Sequence, residues 1–370
     1  MARCASCRSI NKGPNTPRRT CRSCGAPMVL NASSDGFSDL RLVLAMERLS
    51  MQGRLAYTDH QLHYAVAGEK TIRKALLTRL RRKPGHPDYR GTPHTYEAFQ
   101  QALGRWTSAG GRVHGRLLPV GAMGDAPNRT RAAGSTGLPP DLAGHGFDRV
   151  VIVDSVATAV MLVANNAHVD LRCAVLSEDG YPEAFAGELV ALLNQNPALT
   201  VVAAHGASLA GCGLARRLRT WFPQARIIDV GLRPAQIRAA NLYAERDPQA
   251  AAGGAGPGGG STATNAPNAE ISGHPDLLRL DEWEREWLGW GLYSPLATVG
   301  PTRLIRVLSQ AFANAAMLDE QSFADPSGAA PRAVERNRRH QDTTDGGIYW
   351  WDDHQPDDDE GFGADFDGDG

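Results

Sequence analysis

The run Arg149-Val150-Val151-Ile152-Val153-Asp154 decides the fold: a short apolar, mostly β-branched stretch closed by an acid and followed by Ser155. An uninterrupted apolar run this short fits a strand buried on both faces, and a serine directly after it is a preferred helix N-cap. The spacing predicts a helix from Ser155 to about Asn165, a second strand over 171–177, the turn Glu178-Asp179-Gly180-Tyr181-Pro182 and a helix over 183–194. A third strand follows over 200–204. After it come the polar loop His205-Gly206-Ala207-Ser208, a helix carrying Leu209, Leu214 and Leu218, and a fourth strand over 226–230. Strands alternating with helices place the chain in the α/β class, with a parallel sheet wrapped on both sides and functional loops at the strand C-termini. On adjacent strands, that topology gathers Asp154, Glu178, Asp179, His205 and Ser208.

Upstream of this 147–245 unit, residues 121–146 are rich in Gly, Pro and Ala and read as a linker. Before the linker, residues 39–120 carry a helical pattern. Leu40, Val43, Leu44 and Leu49 recur at three-to-four spacing until Gly53, and Thr58 with Gln61 has the form of a capping box ahead of Leu62, Tyr64, Ala65 and Val66. A basic helix is expected over 71–82, bearing Arg73, Lys74, Arg79, Arg81 and Arg82, with Pro84 ending it. Thr95 caps a helix with Tyr96, Phe99, Leu103 and Trp106, and Val113, Leu117 and Leu118 are placed to form a short strand or wing. Short helices, one of them basic, with a wing after them match the make-up of a winged-helix DNA-binding unit. A plain bundle with one wet, Arg-rich face has the same periodicity.

At the N-terminus, over residues 1–33, Cys4-Ala-Ser-Cys7 and Cys21-Arg-Ser-Cys24 form two Cys-x-x-Cys pairs in a zinc ribbon or knuckle. Each x-x turn converges two thiolates on one side of a tight loop, and the intervening loop brings the second pair opposite. Gly25 supplies the permissive backbone after the second pair. Structural zinc on Cys4, Cys7, Cys21 and Cys24 is the favoured reading, with rubredoxin-like iron as the remaining metal. A disulfide framework fits poorly because no export signal precedes it and Cys173 and Cys212 sit alone in apolar segments. A thioredoxin-type redox pair would need one motif after a strand.

Charge is polarised along the chain, although the net charge is only −1. Residues 1–33 carry Arg3, Arg8, Lys12, Arg18, Arg19 and Arg22 without an acid, while Asp342, Asp345, Asp352, Asp353, Asp357–Asp359, Glu360, Asp365, Asp367 and Asp369 crowd the end. Such a basic front suits a polyanion partner, and Arg18, Arg19 and Arg22 with the basic helix are the candidate DNA contacts. Residues 247–275 read as a Gly-rich linker. Residues 276–320 form a helical C-terminal extension with the stripe Trp283, Trp287, Trp290 and Leu292, expected to pack back on the sheet, and 321–370 is an acidic, disordered tail. Neither a membrane span nor an apolar signal core is present, so the cytoplasm is the expected compartment.

From about 39 to 240 the layout resembles the A subunit of topoisomerase VI and its meiotic break-forming relatives, in which a winged helix precedes a Toprim domain. Toprim domains hold Mg²⁺ on a Glu after the first strand and a DxD motif after the third. Here Asp154 takes the Glu position, while Gly206 and Ser208 of His205-Gly206-Ala207-Ser208-Leu209-Ala210-Gly211 fall where the two aspartates would be. Thr58-Asp59-His60-Gln61-Leu62-His63-Tyr64 is similar to the segment bearing the family's nucleophile, with Tyr64 in its place. The resemblance implies duplex DNA as ligand and assembly with itself or with a partner ATPase. One Asp leaves too little negative charge to fix Mg²⁺, on which phosphodiester transesterification depends, so a non-catalytic binding or scaffolding role is expected. An active Tyr64 transesterase and a protein-interaction adaptor that never touches nucleic acid are the alternatives.

Overall fold

A computed structural model describes residues 2–11, 20–30, 35–67, 89–117, 148–180, 187–246 and 280–324. The basic helix with Arg73, Lys74, Arg79, Arg81 and Arg82, residues Arg18 and Arg19, the 247–275 linker, the 121–146 linker and the tail beyond Ala324 lie outside them.

Four strands, β3 (Arg149–Val153), β4 (Ala174–Ser177), β5 (Thr200–Ala204) and β6 (Arg226–Asp229), form an all-parallel sheet in the order β4-β3-β5-β6. Val151 pairs with Val175 on one side and Val202 on the other, so the middle of the central ladder is apolar. Side-chain alternation divides these strands between two cores. Val151, Val153, Val175, Val202 and Ala204 point into one; Val150, Ile152, Leu176, Val201 and Ala203 point into the other.

The second of these cores is closed by Leu193 of α6 (Gly187–Leu193) and by Leu214, Ala215 and Leu218 of α8 (Leu214–Trp221), together with Phe222. The first receives α4 (Val156–Ala164), capped by the Ser155 hydroxyl as the sequence predicts, and α5 (Ala167–Asp170). It is completed from the far end of the chain, by α10 (Glu282–Gly289) and α11 (Pro301–Ala324). Trp287, Leu288, Leu304, Val307, Leu308, Ala311 and Phe312 are all buried against the sheet, so the aromatic stripe is core. Between these helices, β8 (Leu292–Tyr293) pairs antiparallel with β7 (Glu245–Arg246).

Two expected elements come out differently. The second strand begins at Ala174 and not at 171, because Arg172 takes a left-handed backbone (φ 51°) in the turn that leaves α5. The helix after the third strand is two pieces, α7 (Leu209–Cys212) and α8, separated at Gly213. In α9 (Pro234–Ala239), Pro234 stands at N1, where its missing N–H costs nothing.

The helical unit has its own core of Phe37, Leu42, Met46, Leu49, Tyr57, Leu62, Phe99, Leu103 and Trp106. It comprises α1 (Asp39–Ser50), α2 (Asp59–Ala67) and α3 (Tyr96–Ser108). The expected capping box is present: Gln61 Oε1 accepts from Thr58 N at 2.9 Å, and Thr58 Oγ1 accepts from Gln61 N at 3.2 Å. Arg41 and Arg48 of α1 donate to the carbonyls of Ala67 and Ala65, placing cations at the negative end of α2. After α3, Arg116 makes a parallel bridge with Tyr57, so this segment is not an antiparallel wing hairpin among the described residues.

The helical unit is joined to the sheet by directional bonds. Asn165, the C-cap of α4, donates to Ala56 O at 2.8 Å and accepts from Ala56 N at 2.7 Å, and Gln61 donates to Val299 O at 3.0 Å. The junction is lined by Tyr64, Ala67 and Tyr243.

Arg233 and Glu284 tie α9 to α10 through a 2.5 Å ion pair in which the Glu284 side chain is fully buried. Glu284 also closes the capping box of α10 with Asp281. Removing the cation alone leaves a buried charge. Arg233→Met is expected to lower unfolding free energy by about 3 kcal/mol, read as a fall in the urea midpoint; an unchanged midpoint would show that the pair contributes nothing.

Candidate functional site

Cys4 and Cys21 are buried, Cys7 and Cys24 are exposed, and all four sulfurs lie within 4.8 Å of one another. Two turns of the same form bring them there. Arg8 N donates to Cys4 O at 3.0 Å and Gly25 N to Cys21 O at 2.9 Å, while Cys4 N and Cys21 N reach Ser9 O and Ala26 O. The residue after each second cysteine is left-handed, Arg8 at φ 57° and Gly25 at φ 74°. Glycine takes that conformation freely and arginine only at a cost. A short antiparallel pair, β1 (Ala2–Arg3) with β2 (Ile10–Asn11), backs the first turn.

Cys4 Sγ lies 3.6 Å from Cys24 Sγ, and Cys7 Sγ lies 3.6 Å from Cys21 Sγ. A tetrahedron with metal–sulfur bonds of about 2.3 Å has edges of about 3.8 Å, so these two pairs stand close to the spacing of a thiolate-bound ion such as zinc, and all four sulfurs are near enough to share one. Among the described residues, this is the one group of three or more Cys, His, Asp or Glu side chains gathered closely enough for a metal.

Polar neighbours prepare the thiolates. Hydrogen bonds from the Ser9 hydroxyl and the Asn11 amide bring the Cys21 thiol down to about 5. Ser9 lowers Cys7 as well. At Cys24 the Ala26 main chain favours the thiolate, yet Cys7, burial, Cys4 and Cys21 together outweigh it and push the thiol up to about 12. Four thiolates cannot share so small a space without a cation among them, and a metal ion supplies one. Ser9 and Asn11 were not singled out in the sequence; their place directly after the first Cys-x-x-Cys pair is the available signal.

The second site lies at the C-terminal ends of the strands, where the sequence gathers acids. Asp154 Oδ2 accepts from Gly206 N at 2.6 Å, and burial raises the Asp154 carboxyl above its ordinary range against that bond. Glu178 belongs to a different partnership: Arg217 grips it with two bonds of 2.6 and 2.7 Å. Asp179 is exposed, and Ser208 caps α7 by accepting from Gly211 N at 2.9 Å. His205 is buried, with Nε2 3.1 Å from Asp229 Oδ1 and Nδ1 2.8 Å from Gly206 O. Asp229, unremarked in the sequence, ends its strand just as Asp154 follows the first.

A Cβ at Gly206 would stand 2.6 Å from Ser294 O and 2.9 Å from Pro295 Cα. Main chain from the C-terminal segment fills the space in front of this position, held there by Ala207 N to Ser294 O (2.8 Å) and Ser294 N to Ala207 O (2.9 Å). The arrangement brings together Asp154, Gly206, His205 and Asp229, and it leaves Ser208 to its capping role.

No protein-family model and no curated protein matches this chain.

Tyr64 is buried, and its hydroxyl donates to Glu245 Oε1 at 2.5 Å; Tyr293 donates to the other oxygen at 2.7 Å. Burial first, then Glu245, raises the Tyr64 phenol well above its ordinary value. One carboxylate thus ties α2 to β7 and β8. Of the candidate DNA contacts, Arg22 is described, exposed on the second knuckle turn.

The purified chain is expected to take up one thiolate-binding ion. Cys21→Ser should abolish uptake, and acid should release the ion as the thiolates protonate. Chelation should disturb the NMR signals of residues 2–30 and spare those of the sheet; uptake by the serine variant would remove the assignment.

Proposed function

We propose that this chain is a DNA-associated, non-catalytic protein. In this reading, a zinc-bound knuckle serves as a phosphate-gripping arm, and a Toprim-like sheet behind a winged-helix-like unit serves as scaffold. The observation that carries the reading is the knuckle. A rigid, metal-ready frame holds Arg8 and Arg22 exposed in a segment with six cations and no acid. Phosphate contacts need exposed cations on a fixed frame, and thiolates in tetrahedral array favour zinc among common ions.

A non-catalytic sheet is supported by how its polar groups are committed. Where a Toprim domain would carry the first aspartate of its metal pair, Gly206 faces the main chain at Ser294 and Pro295. Glu178, a substitute ligand by position, is engaged by Arg217. The Tyr64 phenol is buried and donates to Glu245, which suits a framework residue better than a nucleophile that must lose its proton.

Fluorescence anisotropy with duplex DNA across a salt series tests the reading. Affinity should fall steeply with salt, and Arg8→Ala and Arg22→Ala should each weaken binding and reduce the log–log slope by about 1. Chelation should weaken binding before it unfolds the sheet. Absence of binding at low salt, or Mg²⁺-dependent DNA cleavage lost in Tyr64→Phe, would overturn it.

A further inference from the structure

Both ring nitrogens of His205 face oxygen atoms. Its Nδ1 faces the carbonyl of Gly206, which can only accept. Its Nε2 faces Asp229 Oδ1, which already accepts from Gly231 N at 3.0 Å. A neutral imidazole carries one N–H and would set a lone pair against one of these oxygens. With Asp229 ionised, both contacts are satisfied together only by the doubly protonated ring.

The charged groups facing the ring are carboxylates. Asp229 approaches from the end of β6 and Asp154 from the end of β3, with Asp179 beyond Asp154. Two glycines also lie against the ring: Gly231, where any Cβ would collide with it, and Gly211, whose Cβ would meet Nδ1 at 3.0 Å. Burial opposes the charge, but Asp229, the Gly206 carbonyl and Asp154 together raise the imidazole above its ordinary value.

The loop anchored by this ring is a junction. His205 O accepts from Leu232 N at 2.7 Å, Gly206 N donates to Asp154, and Ala207 exchanges two hydrogen bonds with Ser294. Five residues beyond Ser294, Val299 O receives the Gln61 amide of the helical unit. One short path of main chain therefore links the strand ends, the C-terminal segment and α2.

We propose that His205 is a resident imidazolium, a positioning residue that clasps the Gly206–Ser208 loop to the Ser294–Leu296 segment, and that loss of its proton loosens this clasp. The inference is independent of DNA binding. Because the group binds its proton more tightly folded than unfolded, its contribution is complete below the unfolded value of about 6.5 and is lost as pH rises through the higher folded value. The clasp loosens as pH rises through that folded value.

NMR of the full chain with ¹⁵N-labelled histidine tests this. Both His205 ring nitrogens should be protonated at pH 6.5, with the midpoint above that of a free imidazole. Hydrogen-exchange protection at Ala207 and Ser294 should fall through the same midpoint, beyond the ordinary tenfold per unit of base catalysis. In Asp229→Asn both transitions should move together to lower pH by about one unit or more. A single-nitrogen tautomer at pH 6.5 would overturn the proposal, and so would protection that ignores the His205 transition. Should Asp229→Asn fail to fold, the ring nitrogens and exchange profile of the wild-type chain decide the matter alone.

Discussion

Parallel pairing of Arg149–Val153 on both sides is the constraint on which the rest of the α/β architecture depends. A strand with neighbours at both edges and helices on both faces has no surface to give to water, which is why its last four residues are fully buried. Its alternation assigns Val151 and Val153 to one core and Val150 and Ile152 to the other. Those cores are built from different parts of the chain. Segments adjacent in sequence close the Val150 side, whereas the Val151 side waits for helices more than a hundred residues downstream. The face with Trp287 and Phe312 is therefore formed late in synthesis and over a long loop, at a larger cost in closure entropy.

The elements legible in the sequence are those whose signal is local. The apolar runs of β3 and β5, the Ser155 and Thr95 caps and the Thr58–Gln61 box each announce themselves within a few residues, and each is found where its pattern stands. The four cysteines were equally plain, since Cys-x-x-Cys encodes its geometry in its spacing. What was not legible depends on partners distant in the chain. Nothing near Glu245 says that it accepts from two tyrosines, one 181 residues away. Nothing near Gly206 says that main chain at Ser294 will lie against it. The pairing of β7 with β8 across the Gly-rich segment, and the commitment of Glu178 to Arg217, are likewise products of tertiary assembly that periodicity does not carry.

Charged groups at the functional ends of the molecule are treated in two ways. Around the sheet and its flanking helices, they are consumed in pairs: Asp59 with Arg116, Glu178 with Arg217, Arg233 with Glu284 and His205 with Asp229. Such pairs return little net stability, because desolvation offsets most of the attraction, but breaking one is costly, so they fix geometry more than they strengthen it. In the knuckle, the arginines at 8 and 22 face solvent on turns whose backbone is held by main-chain hydrogen bonds. The framework thus holds its charges in fixed pairs, whereas the knuckle presents Arg8 and Arg22 to solvent.

Contact between Gly206 and the Ser294–Pro295 main chain also bears on how this chain can change over generations. A carboxylate at 206 cannot be accommodated by rotating a side chain, since the obstacle is backbone held at both ends by hydrogen bonds with Ala207. An acid there becomes tolerable only after the downstream segment has shifted, and that shift would sacrifice bonds reaching as far as Gln61. Mutation at the strand end is thus conditional on a prior change some ninety residues away. An acid at this corner of the fold is therefore closed to single steps.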